Sequence, residues 1–144
     1  MKGKYRKGVF MVVYSKGKKI EYLLLNRILH WQGWEFPKGG VKGENDEKAV
    51  VRELKEETGL KPIRILDLEV NGKFNYRREL PDRLGIRGQT FKLFAVEVRK
   101  GRVRIDKREH IGYKWLDYKK AEKMLTWNVQ KRCLKVVDWF LKSL

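Results

Sequence analysis

The stretch GGVKGENDEKAVVRELKEETGL, residues 39 to 60, restricts this chain more than any other, because a helix through it places Glu53, Glu56 and Glu57 on one side. At about 100° per residue the carboxylates fall within an arc of roughly 100°, beside an apolar stripe of Val50, Val51 and Leu54. Like charges at helical i,i+4 spacing cost about 0.2–0.5 kcal/mol each in isolation and more when partly buried, so a positive charge is expected among them. A hard cation meets that demand. Magnesium suits it best, since it takes oxygen ligands from one or two carboxylates plus substrate phosphates and keeps several waters; manganese is the alternative. Ala49 lies on the same arc, where a larger side chain would crowd an ion. Gly59 stands where a helix needs a left-handed residue to stop, and Glu44, Asp46 and Glu47 favour the positive end of the helix dipole. The helix is therefore expected from about Asn45 to Thr58. The competing reading is a solvated face on which the carboxylates pair with Lys48, Lys55 or Arg52.

The segment resembles the Nudix box, the signature of hydrolases that cut a nucleoside diphosphate linked to another group. The family pattern runs Gly, five residues, Glu, seven residues, then Arg-Glu-hydrophobic-x-Glu-Glu-x-Gly-hydrophobic. Glu44 followed by Arg52-Glu53-Leu54-Lys55-Glu56-Glu57-Thr58-Gly59-Leu60 fits without a gap, whereas only four residues separate Gly39 from Glu44. The resemblance implies metal binding by Glu53, Glu56 and Glu57, and a further ligand in the loop glycine carbonyl, here Gly39. It also implies that Arg52 locks a carboxylate such as Glu44.

The chain has 144 residues, which predicts one domain able to bury roughly two thirds of its unfolded surface. The single Cys133 excludes an internal disulfide framework and suits a reducing cytoplasm. Val9 to Tyr14, behind basic residues, is too short for a secretory signal, and no transmembrane span is read. Lys and Arg number 35 against 18 Asp and Glu, a net charge of +17. Such a field favours a polyanionic substrate or partner, with a nucleotide, polyphosphate or RNA ahead of a membrane because the cations are spread along the chain. No partner protein is indicated.

Along the chain, Gly8 to Tyr14 and Ile20 to Asn26 read as a hairpin joined through Ser15-Lys16-Gly17-Lys18, and Trp34 to Phe36 as a short strand. Ile63 to Tyr76 is β-rich, with Asn71-Gly72 as a turn signal. Thr90 to Arg99 and Tyr113 to Leu116 are further strands, and two helices finish the chain. In the second, Thr126 is the expected N-cap and Val129, Cys133, Val136, Val137 and Phe140 form the core stripe. This succession of strands and helices matches the α/β/α sandwich, a mixed sheet between helices, that the resemblance implies.

Three more segments are similar to diadenosine polyphosphate hydrolases and bacterial RNA 5′-pyrophosphohydrolases: WEFPKGG at 34 to 40, GQTFKLF at 88 to 94 and EHIGYKW at 109 to 115. On that likeness Glu109 is an added metal ligand or the general base. Lys38, beside the glycines, is placed for a phosphate, and Arg27 and Lys92 for distal phosphates. Phe74, Tyr76, Trp31 and Trp127 are candidates to stack on a base, with Tyr76 preferred. Arg77, Arg78, Arg83 and Arg87 are expected to serve RNA away from the cleavage site. His30 and His110 lack a metal-ligand partner at useful spacing. The expected function is metal-dependent hydrolysis of dinucleoside polyphosphates, such as diadenosine tetraphosphate, or of the 5′-triphosphate end of RNA. The alternatives are another substrate (a nucleoside triphosphate, ADP-ribose or a diphosphoinositol polyphosphate) and a non-catalytic RNA-binding module.

Overall fold

The computed structural model describes residues 3–144. Its centre is β1 (Lys4–Lys16), whose run from Val9 to Tyr14 is buried on both faces, as a strand enclosed by helices on either side must be. A tight turn returns the chain as β2 (Ile20–Arg27), antiparallel to β1 with Tyr14 opposite Tyr22, as the hairpin pattern predicts. The short strands β3 (Gly33–Glu35) and β4 (Lys38–Gly40) follow; β3 pairs with β2 and β4 with β1. Helix α1 (Asp46–Thr58) is capped by the Asn45 side chain, which accepts from the Lys48 amide, and stopped by Gly59 at φ 74°. Then come β5 (Arg64–Asn75), β6 (Ile86–Glu97), β7 (His110–Leu116), α2 (Tyr118–Met124) and α3 (Asn128–Lys142).

The main sheet path is β3-β2-β1-β6-β5, with β7 on β2, and β1 and β6 are parallel while their neighbours are antiparallel. Alternation along β1 feeds two cores. Phe10, Val12 and Tyr14 pack with Leu24, Leu93 and the α3 residues Leu134 and Val137. Val9, Met11 and Val13 pack with Leu23, Phe94 and the α1 residues Val50 and Leu54. The result is the expected α/β/α sandwich around a mixed sheet. Among the described residues no helix is long and apolar enough to cross a membrane.

Three local expectations are corrected. Asn71-Gly72 is no turn: β5 runs through it, with Gly72 opposite Phe91. The irregularity lies just before, between Asp67 and Asn71, where Glu69 takes φ 57°. Glycine stands at 72 because a Cβ there would come 2.5 Å from the Phe91 ring, which stacks on Phe10 at 4.0 Å. Thr126 does not cap α3; its hydroxyl accepts from the Trp34 amide at 3.0 Å and ties the α2–α3 link to β3. In the α3 stripe Cys133 and Val137 are buried, but Val136 is 40% exposed, as is the α1 residue Val51 at 43%.

Candidate active site

Strand β4 and helix α1 make the first wall of the site. Gly39 faces Glu53 so closely that a Cβ would overlap its carboxylate, which explains a glycine there. The short loop to α1 is closed by Arg52, which donates to Glu44 Oε2 at 2.9 Å, to the Gly40 carbonyl at 2.7 Å and to Glu53 Oε1 at 2.7 Å. The hydrogen bond from Arg52, with that from the Lys42 amide, holds the Glu44 carboxyl at about 2. Arg52 thus locks Glu44, and the entry loop closes with one residue fewer than the family pattern.

Gly39, Glu53, Glu56, Glu57 and Glu109 line one cavity of about 210 Å³. Glu57 is its most deeply buried acid: Oε1 accepts from the Lys38 amide at 2.9 Å, while Oε2 has no hydrogen-bond partner among the described residues. Burial, then the charges of Glu35 and Glu109, push its carboxyl well above the usual range. Burial also raises Glu53, against the opposing pull of Arg52. Both shifts record a place where negative charge is under-compensated by the protein.

His110 corrects the expectation that neither histidine has a metal-ligand partner. Its ring is fully buried, with Nε2 2.8 Å from Glu35 Oε2 and Nδ1 3.7 Å from Glu57 Oε2. Glu57, Glu109 and His110 each offer a ligand atom within 4.8 Å of the others. The spacing that matters is between helix α1 and the start of β7, so the sequence hides it.

Glu35 escaped the sequence reading altogether. It is 1% exposed and takes Arg27 Nη1 at 2.8 Å, His110 Nε2 at 2.8 Å and Lys38 Nζ at 3.9 Å. Burial alone would raise its carboxyl, but Lys38, His110 and Arg27 outweigh that and hold it at about 2. The available signal was a charged residue between Trp34 and Phe36, in a strand otherwise fit for a core. Arg27 is bound by this acid and by the Leu29 carbonyl at 2.8 Å, and it also lines the acidic cavity.

Beside the acids lies a second, apolar cavity of about 490 Å³. All four candidate stacking residues reach it: Trp31 and Trp127 meet edge-on at 6.0 Å, as do Phe74 and Tyr76. Lys38 lines both cavities, with Nζ 4.7 Å from the Trp31 ring centroid and 5.5 Å from that of Phe74. Burial lowers its ammonium to about 8, with the attraction of Glu35 opposing.

Two expectations on cations change. Lys92 is not brought to either cavity: it faces the α1 layer, because Phe91 and Leu93 take the other face of β6, and it pairs with Asp67 at 2.9 Å and Asp46 at 3.7 Å. Of the four arginines expected to serve RNA away from the cleavage site, Arg77 and Arg78 line the apolar cavity and Arg83 the acidic one, whereas Arg87, on β6, lines neither and lies 5.2 Å from the Tyr5 ring centroid.

The NUDIX domain family model matches residues 4–140. An RNA pyrophosphohydrolase of Nitratiruptor sp. is 30% identical over 150 residues, covering 99% of this chain and 97% of its own. The asymmetrical bis(5′-nucleosyl)-tetraphosphatase of Mus musculus is 32% identical over 126 residues, covering 86% of this chain and 82% of its own. Among solved structures, an Ap4A hydrolase binary complex from C. elegans superposes with a TM-score of 0.77 at 26% identity, covering 96% of this chain and 99% of that one. Box acids gathered under a glycine strand, on a sandwich matched nearly end to end, place this chain in the NUDIX family as a hydrolase of phosphoanhydrides.

Proposed function

We propose that this enzyme hydrolyses nucleoside 5′-polyphosphates, presented as dinucleoside polyphosphates such as diadenosine tetraphosphate or as the 5′-triphosphate end of RNA. The observation that carries this reading is the place of Lys38 on the wall shared by the apolar and acidic cavities. A base stacked among Trp31, Phe74, Tyr76 and Trp127 would send its 5′-phosphates past Lys38 toward the carboxylates. Stacking of this kind is worth roughly 1–3 kcal/mol per base and tolerates base identity. The names of the two relatives, one acting on RNA and one on a dinucleoside tetraphosphate, support the same pair of substrates. Arg77 and Arg78, exposed at the apolar cavity, favour the RNA end, which carries phosphates beyond the first nucleoside.

NUDIX enzymes use divalent metal ions. Glu53, Glu56, Glu57, Glu109 and the Gly39 carbonyl would hold magnesium, or manganese, and the residues fit. The donors are mainly carboxylate oxygens, and Glu57 Oε2 and His110 Nδ1 are buried without hydrogen-bond partners among the described residues. Bound there, the ion supplies neutralisation of phosphate oxygens and acidification of water. The chain's own groups do the rest. Lys38 donates to a phosphate oxygen, and Arg27 orients Glu35 and lends its remaining donors to the phosphates. Glu109 accepts the proton of the attacking water as a P–O–P bond opens, and Glu57 holds Lys38 in place through the backbone.

The test is a metal-dependent release assay on diadenosine tetraphosphate, triphosphorylated RNA, a nucleoside triphosphate, ADP-ribose and a diphosphoinositol polyphosphate. The first two should have the highest kcat/KM. A preference for ADP-ribose or the inositol compound overturns the reading.

A further inference from the structure

The β5–β6 loop touches both cavities, and one of its arginines joins them. Arg83 lines the acidic cavity, yet its Nη1 donates to the Tyr76 hydroxyl at 2.8 Å and its guanidinium lies 5.6 Å from the Tyr76 ring centroid. Tyr76, in turn, lines the apolar cavity. Of the other cations on this cavity, Arg27 is committed to Glu35, Arg108 to Asp106 and Lys38 lies 3.9 Å from Glu35, while Arg6 and Lys42 are, like Arg83, without an ion pair among the described residues; Arg83 alone of these three is tied to a residue of the apolar cavity. Arg83 has no carboxylate partner among the described residues; its side chain bonds only a neutral phenol, which leaves most of its five donors free.

The loop fixes this arginine in place. Asp82 bonds His30 at 2.9 Å, Leu80 is 3% exposed against the apolar cavity, and the Arg83 amide donates to the Leu80 carbonyl at 2.9 Å. At the loop's base the Tyr76 amide donates to the Arg87 carbonyl at 2.9 Å. Holding a guanidinium here costs repulsion with the other cations: Arg83 joins Arg27 in opposing the charge on Lys38. A positive group held at such a cost, with its donor fork unspent, suits an anion between base and acids.

We infer that Arg83 is a specificity-determining residue that grips a phosphate of the bound nucleoside polyphosphate while its other edge holds Tyr76 at the base, so that each contact strengthens the other. The inference rests on the nucleoside polyphosphate reading and sharpens its substrate class. A base-free polyanion engages Arg83 without the ring that fixes it, and is selected against. The coupling is reciprocal, as any coupling between two binding contacts must be.

Calorimetric titration of the magnesium-loaded protein with the imido form of inorganic tripolyphosphate, in which P–N–P links replace the phosphoanhydrides, reads the phosphate contact without turnover. Arg83→Gln should weaken tripolyphosphate about tenfold to a hundredfold, the range for hydrogen bonds to a charged group, whereas Arg83→Lys should recover part of that loss. With diadenosine tetraphosphate, Arg83→Gln should raise KM by a similar factor and leave kcat nearly unchanged. Tyr76→Phe keeps the ring and removes the hydroxyl; it should give a smaller KM defect, and the double variant should be no worse than Arg83→Gln alone. If tripolyphosphate binds Arg83→Gln as tightly as the parent, the residue only props Tyr76 and the inference fails. It fails equally if the two KM defects simply add. A loss by calorimetry in a protein that turns over no nucleotide would keep the phosphate grip and remove the proposed activity, and the converse pattern would do the opposite.

Discussion

Glu57 and Glu35 are buried on the two nitrogens of His110, at 3.7 and 2.8 Å, and their ionisation is driven in opposite directions. Glu57 is raised by burial and neighbouring carboxylates, so in chelator its ionisation removes stability as pH climbs from the ordinary carboxylate value of about 4.3 toward its own raised one. Glu35, held at about 2, contributes stability that is present above its unfolded value and lost as pH falls through about 2. A profile of Tm against pH in chelator should therefore carry an acid limb, from Glu35 together with Glu44, and a decline on the alkaline side of about pH 4.3, from Glu57 together with Glu53. Glu57→Gln should shrink the decline to the part that Glu53 contributes, keep the acid limb and lower turnover by at least about a hundredfold, the scale of one electrostatic element of a site. Magnesium should raise the Tm of the parent more than that of the variant. Equal stabilisation of both, or full turnover in the variant, would remove Glu57 from the metal site.

At the scale of elements, β6 makes the clearest separation between motif and position. The GQTFKLF segment matches the resemblance, but strand alternation turns Lys92 to the α1 face, where Asp67 and Asp46 bind it. Lys92→Met should accordingly leave kcat and KM for diadenosine tetraphosphate unchanged, while Lys38→Met should raise KM; steady-state kinetics of the pair checks both. On β5, Gly72→Ala should cost about 1–3 kcal/mol in urea unfolding, because the added methyl meets the Phe91 ring and overpacks a formed core. A neutral result would mean that the ring yields. Strand β4 was missed in sequence because two of its three residues are glycine, and its pairing with Val9 and Phe10 compensates for weak strand propensity.

For the whole molecule, the net charge of +17 predicts that affinity for triphosphorylated RNA falls with salt at a log-log slope of about −0.7 per phosphate contacted. Because Arg77 and Arg78 line the apolar cavity, replacing both with Gln should weaken diadenosine tetraphosphate as well as RNA, with the larger loss on RNA. Fluorescence anisotropy across a salt series and KM for the dinucleotide are the measurements. Intact dinucleotide kinetics in this variant would return those arginines to a separate RNA surface.

Helix α1 was legible in sequence almost to its last residue because its instructions are local. Asn45 caps within three residues, Gly59 stops it by backbone conformation alone, and the carboxylate face follows from 100° per residue. The β1–β2 hairpin and the two-sided burial of β1 are local in the same sense, written in a tight turn and an unbroken apolar run. The sequence by itself thus determined the acidic helix and the hairpin, while the sandwich and the lock of Arg52 on Glu44 were read from the family resemblance. Only the tertiary structure decided that His110 meets Glu35 across 75 residues, that Lys38 stands between two cavities and that Arg83 bonds Tyr76. Such contacts depend on strand register and on which face of the sheet each residue occupies. A shift of one residue would turn Glu35, Lys38 and His110 to the other side of the sheet, and no local propensity records that choice.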